Sequence, residues 1–137
     1  MALDVRGLTP LFQVYDMPAS VRFYRDLLGF EVVATSPKLG EDYFHWALLR
    51  LGGAELMLNT AFEFYSGRPG EPDLARIVAH QDTSLLIECP DVDAAYEELR
   101  GKGLRLKPPA VAPYGMKQLY FHDPDGYMLC LQWPAAS

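Results

Sequence analysis

The sequence predicts an α+β fold of two tandem βαβββ modules, and three observations carry the repeat. Each half of the 137-residue chain reads strand, helix, strand, strand, strand. An internal offset of 75 residues aligns most landmarks of the halves: Asp16 with Asp91 ahead of the helices, Thr9 with Ser84 in the opening strands, and Glu55 with Cys130 in the closing strands. Between the halves, residues 61–81 lose their periodicity and carry Pro69, Gly70 and Pro72, the composition of a long connection. One domain over 1–137 is therefore expected, with module 1 at about 7–60 and module 2 at about 82–134.

The first strand is expected over 8–15, where Leu8, Phe12 and Val14 alternate with Thr9, Leu11, Gln13 and Tyr15. A helix follows, with Pro18 in its first turn. Val21, Phe23, Tyr24, Leu27 and Leu28 form its apolar stripe, and Gly29 is its C-terminal stop. Strands are expected at 30–35, 43–51 and 54–59, the last two joined by a tight turn at Gly52-Gly53. Leu74 starts a short helix over 74–79. Module 2 then has a strand over 83–89, a helix over 92–101 capped by Asp91, and strands at 104–107, 118–122 and 127–133. Asp123-Pro124-Asp125-Gly126 turns the last pair.

With 50% hydrophobic and 22% charged residues, the chain has enough apolar surface for a core. Its net charge of -6 repels phosphate backbones and anionic membrane surfaces, which argues against nucleic-acid and membrane partners. Asp4 and Arg6 interrupt any secretory signal and no stretch has the length of a membrane span, so a cytoplasmic protein is expected. Cys89 and Cys130 belong to no CxxC or zinc spacing and read as small buried thiols in reducing surroundings.

Several segments together resemble the vicinal oxygen chelate superfamily of glyoxalases, bleomycin-resistance proteins and extradiol dioxygenases. They are Val14-Tyr15-Asp16, the run Phe23-Tyr24-Arg25-Asp26-Leu27-Leu28-Gly29-Phe30, the strand Ala54-Glu55-Leu56-Met57-Leu58-Asn59, Asp91-Val92-Asp93-Ala94, and Asp123-Pro124-Asp125-Gly126-Tyr127. The resemblance implies that the paired modules form a curled mixed sheet around a cavity, and that subunits pair as homodimers. It also implies four metal-binding positions in the metalloenzymes, typically His or Gln, Glu, His and Glu, which fall here on Thr9, Glu55, Ser84 and Cys130. Only Glu55 keeps a family ligand. Hydroxyls are weak neutral donors, and one carboxylate with one thiol falls short of three or four good ligands, so no metal or other cofactor is expected.

Glu55 shares a strand face with Met57 and Asn59; the repeat register favours the cavity for that face, with an outward-facing, half-solvated glutamate as the alternative. Gln13, Thr9, Leu11 and Tyr15 belong to the matching face of the first strand, and Met128, Cys130 and Gln132 to that of the last. Such a lining suits a mostly apolar ligand fixed by a few hydrogen bonds. Tyr120 shares parity with Gln118 and His122 and offers a phenol, with core packing as the alternative. His45, His80 and His122 lack any spacing that would join two imidazoles; His45, between Phe44 and Trp46, stays a candidate because one of these neighbours must face the cavity. Phe62, Phe64 and Tyr65 read as a lid or a dimer contact. The expected function is metal-independent binding of a small aromatic or amphipathic molecule, resembling the drug-sequestering bleomycin-resistance proteins. The alternatives are a glyoxalase-like lyase, isomerase or dioxygenase with Glu55 as proton-transfer base and any metal relying on Cys130 or a non-standard histidine, and an interaction module with a vestigial cavity.

Overall fold

The two halves fold as two units, Met1–Arg68 and Pro69–Ser137, each holding one four-stranded mixed sheet. The computed structural model describes residues 2–62 and 68–136. The division between Arg68 and Pro69 falls inside the expected connection.

In the first unit the elements are β1 (Leu11–Val14), α1 (Met17–Arg22), β2 (Glu31–Thr35), β3 (Trp46–Leu51) and β4 (Ala54–Thr60). Asp16 starts α1 by accepting the Ala19 N–H on its side chain, satisfying one of the unpaired amides of the first turn. The helix relaxes into a π-helical turn over Phe23–Leu27, and the chain reverses at Gly29, whose φ of 90° costs a residue without Cβ nothing. The sheet order is β1-β4-β3-β2, with β1 parallel to β4 and the other pairs antiparallel. Burial alternates along the strands. Phe12, Val14, Ala47, Leu49, Leu56 and Leu58 are buried, as are Met17, Val21 and Tyr24 of the helical segment. Each such large apolar side chain contributes roughly 1.5–3 kcal/mol of hydrophobic stabilisation, so this face fixes the pleat and leaves the alternate residues on the open face.

Strands β1 and β3 each start three residues later than expected. Pro10 accepts the Met57 N–H but has no N–H to return, so the ladder begins at Leu11 instead of Leu8. At the start of β3, Ser36 Oγ accepts the N–H groups of both His45 and Trp46, occupying the place of a strand carbonyl, and pairing begins only at Trp46.

The second unit has α2 (Leu74–His80), β5 (Ser84–Glu88), α3 (Val92–Gly101), β6 (Ala110–Val111), β7 (Met116–His122) and β8 (Met128–Pro134), with sheet order β5-β8-β7-β6. Asp91 caps α3 by accepting the Ala94 N–H. The strand expected at 104–107 is replaced by the two-residue β6, because Pro108 and Pro109 have no N–H for a ladder and delay pairing with β7 until Ala110. The turn after β7 is held from inside. Buried Asp123 accepts the N–H groups of Asp125 and Tyr127, Arg76 reaches Asp125 at 2.6 Å, and the His80 ring stacks on Tyr127 at 3.9 Å. Gly126 has a φ of 87° and lies against the Ile77 carbonyl of α2, where a Cβ would collide.

The repeat is real but its register is not uniform. Leu11 stands opposite Met57, forty-six residues on, whereas Leu86 stands opposite Cys130, forty-four on. A single offset of 75 is therefore two residues out between the opening and closing strands. Two residues preserve strand parity, so the side chains still fall on the expected faces, on different rungs.

Candidate functional site

On the first sheet's open face the side chains fall into three rungs. Thr9 donates its hydroxyl to Glu55 Oε1 at 3.3 Å, and Arg50, opposite Glu55 on β3, gives Nε and Nη2 to Oε2 at 2.9 and 2.6 Å. The next rung is Leu11, Met57 and Leu48, apolar throughout, with Leu11 45% exposed. The third is Gln13, Asn59 and Trp46; Asn59 Nδ2 donates to Gln13 Oε1 and to the Thr60 carbonyl, both at 3.2 Å.

The second sheet repeats the arrangement with fewer charges. Its rungs are Ser84, Met128 and His122; then Leu86, Cys130 and Tyr120; then Glu88, Gln132 and Gln118. Cys130 has no exposed surface, while Leu86 is 57% and Tyr120 44% exposed. Burial pushes the Cys130 thiol up from its ordinary value against the opposing hydrogen bond from Tyr120, and burial likewise raises the Tyr120 phenol. Both groups therefore stay protonated near neutral pH, Cys130 as a thiol and Tyr120 as a hydrogen-bond donor.

These positions test the metal site implied for family enzymes. Thr9 and Glu55 meet, but Ser84 faces Met128 and Cys130 faces Leu86, so the second pair occupies different rungs. The Glu55 carboxylate is engaged on both oxygens. The hydrogen bond from Arg50 holds it below the usual glutamate value, with desolvation opposing and Thr9 assisting. A carboxylate clamped by a guanidinium, beside a neutral hydroxyl, does not fit a divalent ion. Among the described residues no group of three His, Cys, Asp or Glu side chains could hold a metal. A lowered value also makes Glu55 a weak general base near neutral pH.

The structure brings Gln13, Glu55, Met57 and Asn59 together on one open face, and Tyr120, Met128 and Cys130 on the other. His45 precedes β3, its ring edge-on to Tyr43 at 6.2 Å, and it is Trp46 that takes the rung with Asn59. Phe62 packs edge-on to Tyr15 at 6.3 Å; Phe64 and Tyr65 lie outside the described residues. Sequence reasoning missed Arg50 and Tyr114. The first was within reach, since a two-residue turn at Gly52-Gly53 pairs Leu51 with Ala54 and therefore Arg50 with Glu55. Tyr114, in the turn between β6 and β7, had no such signal.

The family model for the Glyoxalase/Bleomycin resistance protein/Dioxygenase superfamily matches residues 8–131. A glyoxalase/bleomycin resistance protein/dioxygenase from Nocardioides superposes with a TM-score of 0.72 at 23% identity, over 98% of this chain and 87% of that one. TnmS3, an antibiotic binding protein from Streptomyces sp. CB03234, gives 0.68 at 25% identity, over 97% and 99% of the two chains. A superfamily member from Sphaerobacter thermophilus DSM 20745 gives 0.64 at 26% identity, over 95% and 98%. No curated protein matches the chain. No helix of the described residues is long and apolar enough to cross a membrane. With two βαβββ sheets and a family match running from the first strand into the last, the chain belongs to the Glyoxalase/Bleomycin resistance protein/Dioxygenase superfamily.

Proposed function

We propose that this protein binds a small aromatic or amphipathic molecule without a metal and releases it unchanged, in the manner of the drug-sequestering bleomycin-resistance proteins. The observation that carries the reading is the Arg50–Glu55 pair: the one carboxylate left at a family metal position is neutralised by its own strand neighbour. Apart from Glu88 and His122, what remains on the open faces is apolar or neutral polar, from Leu11, Met57, Leu48 and Trp46 to Leu86, Met128 and Tyr120, interrupted by amides. Such surfaces bury flat apolar ligands and orient them with few hydrogen bonds. The likeness to TnmS3, an antibiotic binding protein, supports the same class of activity. We further propose that the protein acts in the cytoplasm as a homodimer.

Elemental analysis of the purified protein tests the metal-free part. The expected result is no stoichiometric divalent metal. About one zinc, iron, nickel or manganese per chain, lost in a Cys130→Ala variant, would overturn it.

A further inference from the structure

The second sheet carries a polar group of its own, distinct from the Glu55 rung. Gln118 and Gln132 stand directly opposite each other on β7 and β8. Gln118 Nε2 donates to Gln132 Oε1 at 2.9 Å and to the Tyr114 hydroxyl oxygen at 2.8 Å, so both of its N–H groups are used within the protein. The amide-to-amide bond consumes one donor and one acceptor. It leaves one carbonyl, Gln118 Oε1, and one amino group, Gln132 Nε2, on directly paired residues. Exchanging O and N of both amides leaves the same complement, one acceptor beside one donor.

We propose that this pair reads a planar, neutral heteroaromatic lactam, a ring whose N–H adjoins its C=O. The ring N–H donates to Gln118 Oε1 while the ring carbonyl accepts from Gln132 Nε2, a two-point contact that fixes orientation as well as affinity. On the neighbouring rung the exposed faces of Tyr120 and Leu86 supply a flat apolar floor for the rest of the ring system. Charge selects in the same direction, because Glu88 flanks Gln132 from β5 and repels an anionic ligand. The inference rests on the binding function proposed above and names the ligand class for it. A ligand that covers both amides without pairing with them strands a donor and an acceptor beneath it, which is how sites built from hydrogen bonds reject close analogues.

Calorimetric titration of the full chain with 2-quinolone, 1-methyl-2-quinolone and quinoline tests this. The lactam should bind about tenfold or more tightly than its N-methyl analogue, which keeps the shape and carbonyl but loses the donor. In Gln118→Met and Gln132→Met that ratio should collapse towards one while quinoline binding is retained, which also shows that the variants fold. Equal affinity of the two quinolones for the native chain, or a ratio that survives both substitutions, overturns the lactam inference and leaves the binding function standing. Failure of all three probes overturns the inference as well; failure of a wider panel of flat aromatic compounds overturns the function beneath it.

Discussion

At Glu55 the carboxylate meets Arg50 on one oxygen and Thr9 on the other, and these contacts decide its chemistry more than its place in the family pattern does. Its folded-state value lies below the ordinary one, so its ionised form stabilises the fold at pH values above the ordinary glutamate range. That contribution is lost as pH falls through the depressed value. Following the Glu55 side-chain carboxyl by NMR during acid titration should place its midpoint below that of an ordinary glutamate, and Arg50→Met should move it back up. A midpoint unmoved by that substitution would mean that Arg50 does not govern Glu55. At this scale the sequence was half legible. Parity put Glu55, Met57 and Asn59 on one face, and turn arithmetic could have named Arg50. The occupant of the rung near His45 was not legible, since Ser36 Oγ, ten residues before Trp46, sets where β3 begins. Tyr114 reaches Gln118 from a turn, where strand parity says nothing.

Among the elements, α3 matched its expected bounds because its signals are local: an Asp91 cap, an apolar stripe and a glycine-rich end. The strand misplaced to 104–107 had apolar alternation in Leu104 and Leu106, but a ladder needs N–H donors, and Pro108-Pro109 moves the pairing to Ala110. The short helix α2 shows what local signals leave out. It buries no residue of its own, yet its Arg76 meets Asp125, whose side chain is 2% exposed, and its His80 covers Tyr127. It thereby fastens the turn that sets His122 opposite Met128 on the open face. Arg76→Met removes the guanidinium that compensates a buried carboxylate and should destabilise the protein by about 3 kcal/mol in denaturant unfolding. A change below about 0.5 kcal/mol, the ordinary scatter of surface substitutions, would show that α2 is not a fastening.

Over the whole molecule, the duplicated pattern was the most legible feature, since two halves repeating one element order reinforce each other. The constant offset was not, because strand pairing tolerates a two-residue slip that preserves side-chain facing, and such a slip has no sequence signature. Open sheets leave edge strands, β1 and β2 in one and β5 and β6 in the other, and a symmetric partner that covers such edges is the reason to expect a homodimer. Sedimentation at micromolar concentration should give the mass of two chains, and a monomer would refute the pairing. The central claim is metal-independent binding without turnover, and the measurement closest to it is the thermal shift of EDTA-treated protein across a panel of flat aromatic ligands, each ligand recovered afterwards and weighed by mass spectrometry. The account predicts that at least one ligand raises the melting temperature with concentration, by the same amount with and without EDTA, and is recovered chemically unaltered. Loss of the shift on chelation, or recovery of a converted product, would contradict it.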